Sequence, residues 1–280
     1  MKENETILME HEFNLSDFAL FLSVMKNPRA YQCVLSVFME EPDIELEEVK
    51  VEQVILNKVG KRAIRLDAWA KSTDQRQFNM EMQNDAQKDD VKKRSRYYQG
   101  LIDSPILKSG KKTKYKNLPS TVIIFITQED IFGRDLAKYT FTERCKEIED
   151  LELEDGTTKI FLNMASKNGT PELISMLQYI KQTRIDNPEI IVKDSRILEL
   201  DEIVTEVKCS EEWEAVKMNI LEVGIQQGIQ QGLHQKLIEL VGKKLEKGFS
   251  VPEIADMLEE SEETIEKVIE EIKKRSNRIQ

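Results

Sequence analysis

Asp67, Glu81 and Gln83 are the residues whose types and spacing could do chemistry in this chain. Asp67 lies in the run Ala63–Ala70 and the other two in Gln77–Gln83, where apolar residues recur at every second position. That alternation predicts two strands, and the polar segment Ser72-Thr73-Asp74-Gln75-Arg76 between them predicts a hairpin turn. A turn centred on Asp74 pairs Asp67 with Glu81 and Arg65 with Gln83. Successive side chains of a strand point to opposite faces. Arg65, Asp67, Glu81 and Gln83 therefore share one face, and Leu66, Ala68, Ala70, Phe78, Met80 and Met82 form an apolar face that belongs in a core. Side chains directly opposed across an antiparallel pair stand about 4.5–5.5 Å apart at Cβ, and like charges there are destabilising. A divalent cation reverses the sign, because both carboxylates become its ligands. Two other readings stay open: a pairing slipped by one residue, and acids that splay into water.

The rest of the composition narrows the chemistry. The histidines are His11 and His234, and the cysteines Cys33, Cys145 and Cys209 are far apart with no CxxC pair. So few soft ligands argue against a zinc site or a disulfide framework, and so little histidine argues against a Ser-His-Asp or Cys-His mechanism. Carboxylates favour hard cations, Mg²⁺ or Mn²⁺. The net charge of −11 does not suggest a nucleic-acid partner, but its distribution does. Lys88 to Lys116 holds ten basic residues against the acids Asp89, Asp90 and Asp103, directly after the hairpin. No stretch approaches the roughly 20 apolar residues of a membrane span. The N-terminal residues are acidic and lack a signal-peptide apolar core, so the expected compartment is the cytoplasm.

The elements that must position these residues can be read from periodicity. Residues 13–39 have helical spacing, interrupted at Asn27-Pro28. Val49–Leu56 is rich in β-branched residues and extended. Gln87–Ile102 is helical, Ser109–Asn117 is a basic loop, and the continuous apolar run Thr121–Thr127 marks a central strand covered on both faces. Lys159–Met164 is a further strand and Pro171–Thr183 a helix. This order predicts an α/β core, here bounded at residues 1–205, with a helical extension over 206–280.

Asp67, then Glu81-Met82-Gln83 on a second strand, then a helix, resembles the PD-(D/E)xK nuclease core. Arg65-Leu66-Asp67-Ala68-Trp69-Ala70, Asn79-Met80-Glu81-Met82-Gln83, Arg94-x-x-Tyr97-Tyr98 and the opening Asp17-Phe18-Ala19-Leu20-Phe21 are similar to the PD-(D/E)xK family transposases, also called recombination-promoting nucleases. The resemblance covers roughly residues 13–165. It implies a restriction-endonuclease-like fold, a central mixed sheet flanked by helices, and metal-dependent hydrolysis of DNA phosphodiester bonds tied to recombination or mobile elements. Leu66 stands where the wider motif has proline, and Gln83 where it has lysine; glutamine is usual in this branch.

The resemblance gives Asp67, Glu81 and Gln83 the catalytic positions, with Asp67, Glu81 and the Met82 carbonyl as ligands of Mg²⁺ or Mn²⁺. Asp17 or an acid of the Glu40-Glu41 segment could add an outer ligand. Gln83 cannot act as a base, but it could orient a water or a phosphate oxygen by hydrogen bonds. Arg94, Tyr98, Lys92, Lys93, Lys111 and Lys112 are the expected DNA contacts. Tyr97 is equally well a core residue.

In the extension, Gly224, Gly228 and Gly232 recur at four-residue spacing beside Ile225, Ile229 and Leu233. They form either a small-residue ridge for self-association or a flexible linker. Ser250-Val-Pro-Glu253 is a capping-box pattern, and a helix pair follows that resembles a helix-turn-helix. Its second helix is too rich in glutamate to favour phosphate, so the extension is expected to make homo-oligomers. Two functions compete with a nuclease: a non-catalytic nucleic-acid-binding or scaffold protein that keeps the fold, and a self-assembling regulatory protein.

Overall fold

The computed structural model describes residues 12–56, 62–85, 90–107 and 114–276. Two compact units emerge, one over Glu12–Glu214 and one including Ala215–Gln280. In the first, helices α1 (Phe18–Met25) and α2 (Pro28–Met39) precede strands β1 (Leu46–Ile55), β2 (Ile64–Ser72) and β3 (Gln77–Gln83). Helix α3 (Val91–Asp103), β4 (Thr121–Thr127), β5 (Lys138–Phe141), β6 (Thr157–Asn163), α4 (Pro171–Lys181) and α5 (Ser195–Lys208) complete it. The expected break at Asn27-Pro28 is present: Pro28 opens α2 and the Asn27 side chain accepts the Arg29 amide at 2.9 Å.

The strands form one six-stranded mixed sheet in the order β1-β2-β3-β4-β6-β5. β1, β2 and β3 run antiparallel, β3, β4 and β6 parallel, and β5 returns antiparallel to β6. β4 is buried at every residue, as its continuous apolar run requires. β5 was not anticipated; at four residues it is too short to show a period, and Tyr139 holds it through an aromatic cluster with Phe132 and Phe161. The hairpin register is the anticipated one: Ala68 pairs with Met80, Trp69 with Asn79, Ala70 with Phe78 and Lys71 with Gln77.

The two faces of the sheet are covered differently. Ala68, Ala70, Phe78, Met80 and Met82 are all buried. Leu66, expected on the same face, is buried too but packs instead with Trp69, Val91, Tyr98 and Phe125, because the regular pairing ends at Ala68 and the strict alternation does not carry past Asp67. Tyr31 of α2 donates its hydroxyl to the carbonyls of Ala68 (3.2 Å) and Phe78 (3.4 Å), tying that helix to both hairpin strands. On the face of the acids, Val91, Tyr98 and Ile102 of α3 pack with Trp69, Ile123, Phe125 and Phe161.

The second unit contains most of α6 (Glu211–Glu246) together with α7 (Val251–Leu258) and α8 (Glu262–Ser276). Ile238 and Val241 of α6, Ile254 and Ala255 of α7, and Ile265 and Val268 of α8 form one small core. The Ser250 capping box is present, with Ser250 donating its amide to Glu253 at 2.8 Å. The glycine repeat is helical, and nothing lies within 4 Å of a Cβ built at Gly224, Gly228 or Gly232. Glu262, Glu263, Glu266 and Glu270 are exposed on α8, an unfavourable surface for phosphate. Among the described residues no helix is long and apolar enough to cross a membrane.

Because the apolar face of the hairpin anchors the acids, truncating its largest fully buried ring should loosen the whole sheet. Phe78→Ala is expected to lower stability by about 3–5 kcal/mol in urea titration. A loss under about 1 kcal/mol would contradict this placement of the core.

Candidate active site

The regular pairing of β2 with β3 stops at Ala68 and Met80, one residue short of the acids. The β1–β2 ladder also omits Asp67, because β1 passes it through Glu52 in a left-handed conformation (φ 51°). Asp67 is thereby freed from regular pairing on both sides. Its amide donates to Glu81 Oε1 at 2.9 Å, and the Met82 amide donates to Asp67 Oδ2 at 3.1 Å. Beyond the ladder the two acids hold the strands together by side-chain-to-backbone bonds, while β3 continues along β4 through Glu81↔Phe125 and Gln83↔Thr127.

Neither acid splays into water. Asp67 is 5% exposed and Glu81 0%. Burial, and then the neighbouring charge of Glu81, push the Asp67 carboxyl up to about 7. Burial also raises Glu81, against the pull of Arg94 and of the donors to its oxygens.

Glu81 divides its two oxygens. Oε1 accepts from the Asp67 amide and from Asn79 Nδ2, both at 2.9 Å. Oε2 accepts from Arg94 Nη2 of α3 at 2.6 Å. Arg94 also donates Nη1 to Gln83 Oε1 (2.8 Å) and Nε to the Tyr98 hydroxyl (3.0 Å), and its guanidinium lies over the Tyr98 and Phe125 rings. Gln83 Nε2 is held by the Asp85 carbonyl at 2.7 Å. Asn79 is wholly buried, and its Oδ1 has no partner.

A cleft of about 690 Å³ opens over Asp67. Arg62, Arg65, Lys93 and Arg94 line it together with Asp90, Tyr97 and Tyr98. Residues 17–212 match the family described as PD-(D/E)XK nuclease family transposase. The chain belongs to that family. No match was found among curated proteins or among solved structures. PD-(D/E)XK nucleases generally use divalent metals, and the donors fit such an ion: two adjacent buried carboxylates, with Arg94 in contact with Glu81. The second oxygen of Asp67 is open to a cation, whereas Glu81 Oε2 already carries Arg94 Nη2 at 2.6 Å and would have to give it up. The Met82 amide faces Asp67, donating to its Oδ2 at 3.1 Å. Among the described residues no group of three or more His, Cys, Asp or Glu converges.

The structure redistributes several expected roles. Gln83 has both ends of its amide engaged, its oxygen by Arg94 and its nitrogen by the Asp85 carbonyl. Tyr98 is buried, with its hydroxyl between Arg94 and the Arg65 carbonyl (3.5 Å), so it buttresses Arg94 at the wall of the cleft. Tyr97 is exposed and donates to the Arg62 carbonyl. Lys92 turns to the Phe132 ring, 4.3 Å from its centroid, and Lys93 reaches Asp90 at 3.1 Å. Lys111 and Lys112 lie outside the described residues. Neither half of Glu40-Glu41 is placed for an outer ligand: Glu40 pairs with Lys138 at 2.9 Å, and Glu41 takes Arg76 at the turn end of the hairpin through bonds of 3.0 and 2.8 Å. Asp17 accepts the Asn14 amide at 2.8 Å at the start of α1. Arg62 and Asn79 were missed. Arg62 lies outside the strand pattern, and Asn79, though it opens the motif Asn79-Met80-Glu81-Met82-Gln83, carries no mark in the sequence of its bond to Glu81.

The raised Asp67 has a pH signature. An unfolded aspartate releases its proton near pH 3.9, whereas the folded, metal-free protein keeps it to about 7. The folded state therefore binds more protons between those values, and stability is lost as pH rises through that window. With metals chelated, Asp67→Asn should gain on the wild type between pH 4 and pH 8 by at least roughly 1 kcal/mol, about 2–4 °C in a domain of this size. A Tm difference independent of pH would contradict it.

Proposed function

We propose that this protein is a metal-dependent DNA endonuclease that hydrolyses phosphodiester bonds, with Asp67, Glu81 and the Met82 carbonyl holding Mg²⁺ or Mn²⁺. The observation that carries this reading is the juxtaposition of two buried carboxylates under a cleft lined by four cationic side chains. When bound, the ion would lower the pKa of a coordinated water and offset charge gathering on the phosphate. The remaining work falls to the chain. The Asp67 amide and Asn79 fix Glu81 through one oxygen and so aim the other. Gln83 and Tyr98 set the position of Arg94. Arg62, Arg65 and Lys93 bind the sugar–phosphate backbone, contacts that fix register without reading bases. The family description, a nuclease family transposase, supports DNA as the substrate and recombination or mobile elements as the setting.

A second reading has one specific observation in its favour: Arg94 already supplies a counter-charge to Glu81, so the chain could be a nucleic-acid-binding scaffold that needs no metal. Purified protein with plasmid and Mg²⁺ should nick or cut, chelation should stop it, and Asp67→Asn or Glu81→Gln should reduce the rate at least about 100-fold. Cleavage surviving in both variants would exclude this site. Mn²⁺ at about 100 times its Kd should stabilise the wild type by roughly 2.7 kcal/mol and leave Asp67→Asn unmoved; no response in the wild type would favour the scaffold. If the cleft binds phosphates, Arg62→Ala and Arg65→Ala should each flatten the dependence of DNA affinity on log salt by about 0.9, and an unchanged slope would place the duplex elsewhere.

A further inference from the structure

Arg94 is placed where two roles conflict. Glu81 Oε1 is saturated by two donors at 2.9 Å, so a cation coordinated by Glu81 must use Oε2. That oxygen is the one Arg94 Nη2 occupies at 2.6 Å. A guanidinium and a divalent ion cannot share it closely, since both are positive. The same side chain also lines the cleft beside Arg65 and Lys93. Each of its three nitrogens is engaged by Glu81, Gln83 or Tyr98, so it must surrender bonds to reach a phosphate.

We infer that Arg94 and a divalent cation compete for Glu81 Oε2, so that a loaded site releases the guanidinium to a DNA phosphate in the cleft. Arg94 is then a positioning residue with two stations: counter-ion to Glu81 without metal, phosphate ligand with it. This rests on the metal-centre reading above. Linkage makes the coupling reciprocal: DNA that draws Arg94 away from Glu81 tightens metal binding by the factor by which metal tightens DNA. The apolar and aromatic bed of Tyr98 and Phe125 beneath the guanidinium stays in place and limits the motion to the side chain.

The test measures Mn²⁺ affinity on the full chain by the paramagnetic resonance of free Mn²⁺, with and without a short duplex checked by gel to remain intact. The wild type should bind Mn²⁺ more tightly when the duplex is present. Arg94→Gln should bind Mn²⁺ at least about tenfold more tightly than the wild type without DNA, within the usual range of coupling between sites, and the duplex should add nothing further. Arg94→Lys keeps a competing charge and should stay near the wild type, which separates charge from packing if Arg94→Gln folds poorly. Equal Mn²⁺ affinity in all three proteins, or a duplex effect that persists in Arg94→Gln, would overturn the inference while leaving the metal centre intact, provided Asp67→Asn abolishes binding. Failure of every protein to bind Mn²⁺ would overturn the metal centre and this inference with it.

Discussion

Two carboxylates buried side by side set the terms for everything around them. An ionised carboxylate away from water is costly unless paired and hydrogen-bonded, and a second one beside it adds repulsion. The fold meets this cost with directed groups: an amide from each strand, the Asn79 side chain and the Arg94 guanidinium. It does so by giving up regular strand pairing at Asp67, with β1 displaced through the left-handed Glu52 and β3 carried on by β4. A structural hairpin has no need of such an opening. The remaining charge imbalance favours a proton or a cation, and the cationic cleft above favours a polyanion.

The elements far from the acids serve the same constraint. The fully buried β4 supplies β3 with a rigid partner where β2 departs. Tyr31 clamps the opposite face of the hairpin by its carbonyls, and the Arg76–Glu41 pair closes the turn end. Helix α3 brings Arg94 and Tyr98 from one surface, because residues four apart share a helix face, and Lys93 lines the same cleft. Its buried members Val91, Tyr98 and Ile102 fix the rotation that points Arg94 at Glu81.

Much of this was legible from residue order. Alternation and a polar turn were sufficient for the register over Ala68–Lys71 and Gln77–Met80, since a one-residue slip would have exposed Phe78 and Met80; the end of that pairing just before Asp67 and Glu81 was not legible. The family's sheet and flanking helices followed from the motif residues, and the family match over residues 17–212 agrees. Side-chain bonding was not legible. Gln83 invites a role toward substrate until its two amide ends are seen on Arg94 and Asp85. Tyr98 and Lys92 count as polar or basic residues in sequence, yet one is buried and the other lies on Phe132. Glu40 and Glu41 lost their candidate role to long-range partners, Lys138 and Arg76, that no local pattern reveals. The glycine repeat allowed both a ridge and a linker, and only the backbone decides that it is helix.

The central claim is that Asp67 and Glu81 form one cation site that opens onto the basic cleft. A crystal soaked in Mn²⁺ and measured for anomalous scattering tests it most directly. One strong peak is expected between Asp67 and Glu81 Oε2, with the Arg94 guanidinium withdrawn from that oxygen. An absent peak, with Arg94 still on Glu81 at saturating Mn²⁺, would contradict it.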